Sequence, residues 1–192
     1  MASSEPDGLT SRAREIVGVA LELLEEEGAD GLSMRRLADR LGIRAPSIYK
    51  HVADKRELEA AIISRGFEVQ SEVFAAAVEG APDPLAALAT AYRRFAGQHP
   101  HLYRLMTEHE LRRDLLTPGA EARAGRYVYE AVGRDADLAR AAWAFAHGMT
   151  ILELDRRFPA DADLDAAWSR GIDAFRPRAG MPSGGDQRAG SR

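Results

Sequence analysis

The sequence predicts an all-α fold, on three observations. Apolar positions recur at helical spacing along nearly the whole chain, alanine is abundant, and the strict alternation of a half-buried strand is scarce. With 192 residues, 45% of them hydrophobic, the chain can bury a sizeable core and is long enough for two small domains. It has no cysteine, which removes disulfides and thiol catalysis. The opening MASSEPDGLTSR lacks the basic-then-apolar pattern of a secretion signal, and no run is long enough to span a bilayer. The expectation is a cytoplasmic protein with no membrane partner.

The first helix carries Ile16, Ala20, Leu23 and Leu24 on one stripe and is stopped by Gly28. Gly18 lies inside it, at a cost of about 1 kcal/mol against alanine. Ser33 is a capping type and opens a second helix, in which Leu37, Ala38 and Leu41 turn inward while Arg35, Arg36, Asp39 and Arg40 face water. Gly42 supplies the positive φ of a sharp turn, and Ile43 plugs the corner. Pro46 suits the first turn of a third helix, where a missing N–H costs nothing. With Ile48 and Val52 turned inward at i and i+4, the side chains of Ala45, Ser47, Tyr49, Lys50 and His51 are directed outward.

Two short helices joined by glycine form either an ordinary helical hairpin or a helix-turn-helix that reads DNA. Charge separates the two. Between Arg35 and Arg56 stand seven basic residues (Arg35, Arg36, Arg40, Arg44, Lys50, Lys55, Arg56) against Asp39 and Asp54, an excess of five positive charges in a chain whose net charge is −4. A basic island in an acidic protein is the electrostatic footprint of a phosphate-binding surface.

Beyond the head, a long helix over 55–79, opened by Asp54, ends at Gly80 ahead of Pro82 and Pro84. The next, over 85–98, is interrupted by His99 and Pro100, and a short helix holds Leu102, Tyr103, Leu105 and Met106. A helix over 118–132 stops at Gly133; another, begun by Asp135 or Asp137, runs to 157 and is closed by Phe158 and Pro159; a last one covers 164–175. Residues 176–192 are poor in large apolar side chains and are expected to be disordered.

The run LADRLGIRAPSIYKHVADKRELEAAI resembles the DNA-binding domain of TetR-family (tetracycline-repressor-like) transcriptional regulators, over residues 9–69. The resemblance implies a three-helix head on a long connecting helix. It implies that Arg44, Ser47, Tyr49, Lys50 and His51 approach bases or phosphates, with Ser33 and Lys55 holding the DNA backbone from either side; Ala45 and Pro46 complete the DNA-facing set. Lys50 stands where family members often carry an aromatic residue, so the base preference does not transfer.

From Pro84 the segments AYRRFAGQHPHLYRLM and AAWAFAHGMTILEL resemble the effector-binding and dimerisation domain of one branch of the family, marked by a Trp, His and Gly cluster, here Trp143, His147 and Gly148. Residues 70–175 would form that domain. Trp143 and His147 share a face one turn apart. They either line a cavity together with Phe95, Tyr103 and Met106, fit for a largely apolar effector with one polar handle, or pack as core.

One recognition helix contacts few base pairs, and two-fold symmetry supplies a second copy. The helices over 137–157 and 164–175 present Leu138, Ala142, Phe145, Met149, Leu152, Leu164, Trp168 and Ile172, which serve either a four-helix bundle with the partner subunit or the chain's own core. His99, His101 and His109 with Glu108, Glu110 and Asp114 are the only metal-like set, but there is no HExxH or comparable ligand pair, and turn residues are the better reading. Neither a glycine-rich phosphate loop nor a nucleophile elbow occurs, so no catalytic residue, cofactor or metal is expected. The expected function is a ligand-responsive regulator, in this family most often a repressor, binding a near-palindromic operator as a homodimer. The alternative is a DNA-binding architectural or partner-controlled protein that senses no small molecule.

Overall fold

In the computed structural model, residues 10–177 are described. They form α1 (Ser11–Gly31), α2 (Met34–Leu41), α3 (Ala45–Ile48), α4 (Lys55–Val78), α5 (Pro84–Gln98), α6 (Pro100–Thr107), α7 (Ala120–Ala131), α8 (Ala136–Leu154) and α9 (Leu164–Asp173), with no strand among the described residues. Of the tail expected to be disordered, residues 178–192 lie outside the described residues. The chain divides into two compact units. One takes the residues up to Glu72 together with Phe95–Ala124, the other Val73–Arg94 together with the residues from Gly125 onward.

In the first unit, Thr10 caps α1 by accepting the Ala13 N–H at 3.1 Å. The stripe Ile16, Ala20, Leu23 and Leu24 is buried along its length. Gly28 does more than stop the helix. Its φ of 74° and ψ of −178° kink α1, and a β-carbon there would meet the His101 ring at 3.3 Å. The start of α6 docks at this kink, where Glu25 accepts the Leu102 N–H at 3.1 Å and lies 3.8 Å from His99 Nδ1. His99 and His101 therefore help join α6 to α1. Leu102 and Met106 then seat on Gly66 of α4, where a β-carbon would fall 2.6 Å from the methionine sulfur. After α6 the chain is tied back to α4 by the Thr117 N–H, which donates to Ser64 Oγ at 3.0 Å. α7 starts at Ala120, two residues after the expected 118, because Gly119 holds a φ of 76° just before it.

In the second unit, Phe74 packs between Tyr92 and Tyr127, with ring centroids 6.3 and 6.2 Å away. Asp135, rather than Asp137, caps α8 by accepting the Asp137 and Leu138 N–H groups at 3.0 Å each. Asp163 caps α9 through the Ala166 N–H at 2.9 Å. Gly171 lets α9 close on the Phe145 ring, which also meets Trp168 edge-on at 5.7 Å. Of the apolar residues on α8 and α9, Ala142, Trp168 and Ile172 are core within the chain, Leu138, Phe145, Met149 and Leu164 are half-buried, and Leu152 is exposed. Among the described residues no helix is long and apolar enough to cross a membrane.

Candidate nucleic-acid interface

α2 is closed at both ends by its own sequence. Ser33 Oγ accepts the Arg36 N–H at 3.3 Å, which leaves the hydroxyl proton free to donate outward. At the other end Gly42 takes a left-handed φ of 64°. Its N–H bonds the Asp39 carbonyl at 3.2 Å, and the Ile43 N–H reaches back to the Ala38 carbonyl at 3.0 Å, a paired helix stop that reverses the chain. Nothing lies within 4 Å of a β-carbon built at Gly42, so backbone conformation rather than space calls for glycine there.

α3 follows as a single turn, and residues 49–51 continue it as turn structure, with the His51 and Val52 N–H groups both bonding the Ile48 carbonyl at 2.8 and 3.1 Å. Ile48 and Val52 are buried beneath this segment and Leu37 and Ala38 are buried on α2. Fixing those positions turns the rest outward. Tyr49 is 51% exposed despite its large apolar ring, and Arg44, Pro46, Lys50 and His51 are exposed beside it, with Ala45 and Ser47 half-buried. Next in the chain, Asp54 Oδ1 accepts the Glu57 N–H at 2.9 Å while the Glu57 carboxylate takes the Ala53 N–H, fixing the first turn of α4. Lys55 is the first residue of that helix and is exposed, its Nζ 3.5 Å from Glu59.

The basic island divides into two groups that sequence spacing does not distinguish. Arg36 pairs with Glu27 and Arg40 with Glu26 at 2.6 Å, so these two guanidiniums fasten α2 to α1. The hydrogen bond to Arg40 holds the Glu26 carboxyl below its usual range. Arg35, Arg44, Lys50 and Arg56 have no ion-pair partner among the described residues. Lys55 differs from these four in facing Glu59. The glutamate run at 25–27 signals that α1 offers partners, but not which arginines take them.

Residues 16–62 match the family model described as bacterial regulatory proteins, tetR family, and residues 85–175 match the one described as tetracyclin repressor-like, C-terminal domain. Rv0681 of Mycobacterium tuberculosis, an uncharacterised helix-turn-helix-type transcriptional regulator, is 32% identical over 165 residues, covering 80% of this chain and 75% of the relative. The chain belongs to the TetR family. It is accordingly a DNA-binding transcriptional regulator and not an enzyme. The class D tetracycline repressor of Escherichia coli shares 54% identity over 43 residues, 22% of this chain and 20% of that protein. Among solved structures, a protein of unknown function from Rhodococcus sp. RHA1 is 29% identical with a TM-score of 0.69, covering 91% of this chain and 97% of its own. The multidrug binding protein EbrR, solved with imidazole, has a TM-score of 0.66 at 24% identity, with 92% and 99% covered.

The five effector candidates fall in different units of this TetR-family chain. Phe95 and Tyr103, each 1% exposed, and the buried Met106 are core of the first unit. Trp143 and His147 belong to the second, where their rings stack at 5.8 Å and Trp143 is 52% exposed. Trp143 also borders an apolar cavity of about 30 Å³, shared with Phe74, Leu88, Tyr92 and Ala146. One turn beyond Ala146 the buried Thr150 hydroxyl has no hydrogen-bond partner. The sequence carried a signal for it, a lone hydroxyl within the apolar run of α8. Among the described residues no three His, Asp or Glu side chains cluster as metal ligands do.

Proposed function

We propose that this regulator acts as a homodimeric, ligand-responsive repressor that leaves a near-palindromic operator when a small, largely apolar effector binds. The observation that carries the proposal is the exposure of Tyr49, Lys50 and His51 above a buried Ile48 and Val52, ringed by cations without internal partners. In this reading Arg44, Ser47, Tyr49, Lys50 and His51 meet bases or phosphates in the major groove, Ala45 and Pro46 permit close approach, and the Ser33 hydroxyl and Lys55 ammonium grip the backbone on either side. Two heads would sit about 34–36 Å apart, one turn of DNA. Support for a dimer is a stripe on α8 that the chain leaves uncovered: Ala141, Ala144 and Leu152 are exposed and Gly148 half-buried, spaced to meet a second helix.

For the effector, the reading keeps Phe95, Tyr103, Met106, Trp143 and His147 as the binding set within residues 70–175, with residues 9–69 as the DNA-binding domain of a cytoplasmic protein. α4 contributes to both compact units and is the natural lever. An effector moves it only by binding the two arrangements with different affinity, typically a coupling of about 1–3 kcal/mol. A 30 Å³ cavity holds at most about one water, so an effector enters by parting side chains. That tight packing also favours a second reading, a regulator controlled by a partner rather than by a small molecule. Selection of bound DNA from a random pool, followed by a thermal-shift screen, tests both. A compound that stabilises the protein and releases the selected duplex supports the sensor; stabilising compounds that never release DNA support the second reading.

A further inference from the structure

Within the second unit a groove of about 350 Å³ runs between α5 and α9. It shares no residue with the DNA-facing set or with the five effector candidates, and its size is that of a small-molecule site. Its apolar lining comes from Ala86 and Ala89 on α5 and from Trp168 and Ile172 on α9. Asp165 and Asp173, eight residues apart on α9, border it about 12 Å from one another along the helix axis.

The charges around the groove do not cancel. Arg93 is held by Glu153 at 2.8 Å and by Asp165 at 2.6 Å, and Arg176 by Asp83 at 2.5 Å and Asp173 at 2.8 Å. In each case one carboxylate is the more enclosed: the Glu153 side chain is 18% exposed against 89% for Asp165, and Asp83 is 32% against 55% for Asp173. Arg93 and Arg176 line the groove beside Asp165 and Asp173, and each guanidinium faces two carboxylates. Two carboxylates against one guanidinium leave a net negative charge at each end of the groove. Ser169, lying between the two on the same face of α9, adds a hydroxyl at mid-length.

We propose that this groove binds a linear aliphatic diamine or polyamine, with one ammonium on Asp165, the other on Asp173, and the methylene chain along Trp168 and Ile172. The net negative charge at each end disfavours an anion. The spacing selects length, because a diamine of eight carbons spans about 11 Å when extended and a four-carbon diamine cannot reach both ends. The Ser169 oxygen would accept from a central secondary ammonium where one is present.

Calorimetric titration of the full chain with 1,8-diaminooctane, 1,4-diaminobutane and hexylamine tests the proposal. The eight-carbon diamine is expected to bind at least tenfold more tightly than the other two. Asp165→Asn and Asp173→Asn, made singly so that each arginine keeps its inner carboxylate, should each lower that affinity at least fivefold while the helical circular-dichroism signal is unchanged. Equal binding of the short and long diamines, binding untouched by both substitutions, or no binding of the eight-carbon diamine would overturn it.

Discussion

Tyr49 is a large apolar side chain held half in water by a backbone that has no freedom to hide it. Ile48 and Val52 are buried on either side of it in sequence, and the turn bonds to the Ile48 carbonyl fix the ring's direction. A Tyr49→Ala substitution should weaken specific DNA binding by about 1–3 kcal/mol, roughly fivefold to 150-fold, with little change in melting temperature. Lys55→Ala should lower affinity on all sequences alike and reduce the slope of log affinity against log salt by about one, read by fluorescence anisotropy at several salt concentrations. Gly18 and Gly28 of α1 behave oppositely. Gly18 is exposed with nothing within 4 Å of a β-carbon, so Gly18→Ala should stabilise by about 0.5–1 kcal/mol in urea denaturation. Gly28→Ala should destabilise by about 1–3 kcal/mol, since its backbone conformation excludes a side chain and His101 occupies the space. The outward and inward residues of the head were legible because helical period alone separates them. The fate of Arg36 and Arg40 was not, because their partners on α1 become neighbours only when the helices pack.

At the scale of elements, the helix ends were legible wherever a side chain or a glycine makes them: Ser33, Gly42, Asp54, Gly80 and Gly133 all bound helices as residue chemistry demands. Asp54→Ala should cost about 1 kcal/mol of stability by freeing the first turn of α4, and should also loosen DNA binding through Lys55, the next residue. Where ends are set by packing, the sequence carried less information. His99 and His101 read as turn residues by composition, yet they lie in the joint between α6 and the kink of α1. Long-range ion pairs were equally hidden, Arg176 with Asp83 being 93 positions apart. The Arg176 hydrogen bond holds the Asp83 carboxyl below its ordinary value. A lowered folded value contributes stability that is complete above the unfolded aspartate pKa and is lost as pH falls through the folded one. Urea midpoints measured down through the acid range should therefore decline, and Asp83→Asn should be less stable at neutral pH with a shallower acid decline.

For the whole molecule, fold class and family follow from residues spread along the chain, while the division into compact units does not follow the expected functional boundary. Residues 95–124 pack with the head, although by sequence order they belong with the effector domain. Helical period tells which side of a helix is apolar but not which helix will cover it, and the same ambiguity left the α8 and α9 faces open between core and dimer contact. The uncovered α8 stripe gives that question a test: light scattering should find a dimer, and Ala144→Glu should yield a folded monomer with at least tenfold weaker operator binding. The central claim is that the segment from Arg44 to His51 reads duplex DNA. Its most direct test is an anisotropy titration of the selected duplex, at low and physiological salt, with the wild-type chain and the Tyr49→Ala variant side by side. Tight, salt-sensitive binding of two protomers per duplex is expected, weakened by at least about fivefold in the variant. Selection that enriches no sequence, or a variant that binds the selected duplex as the wild type does, would contradict it.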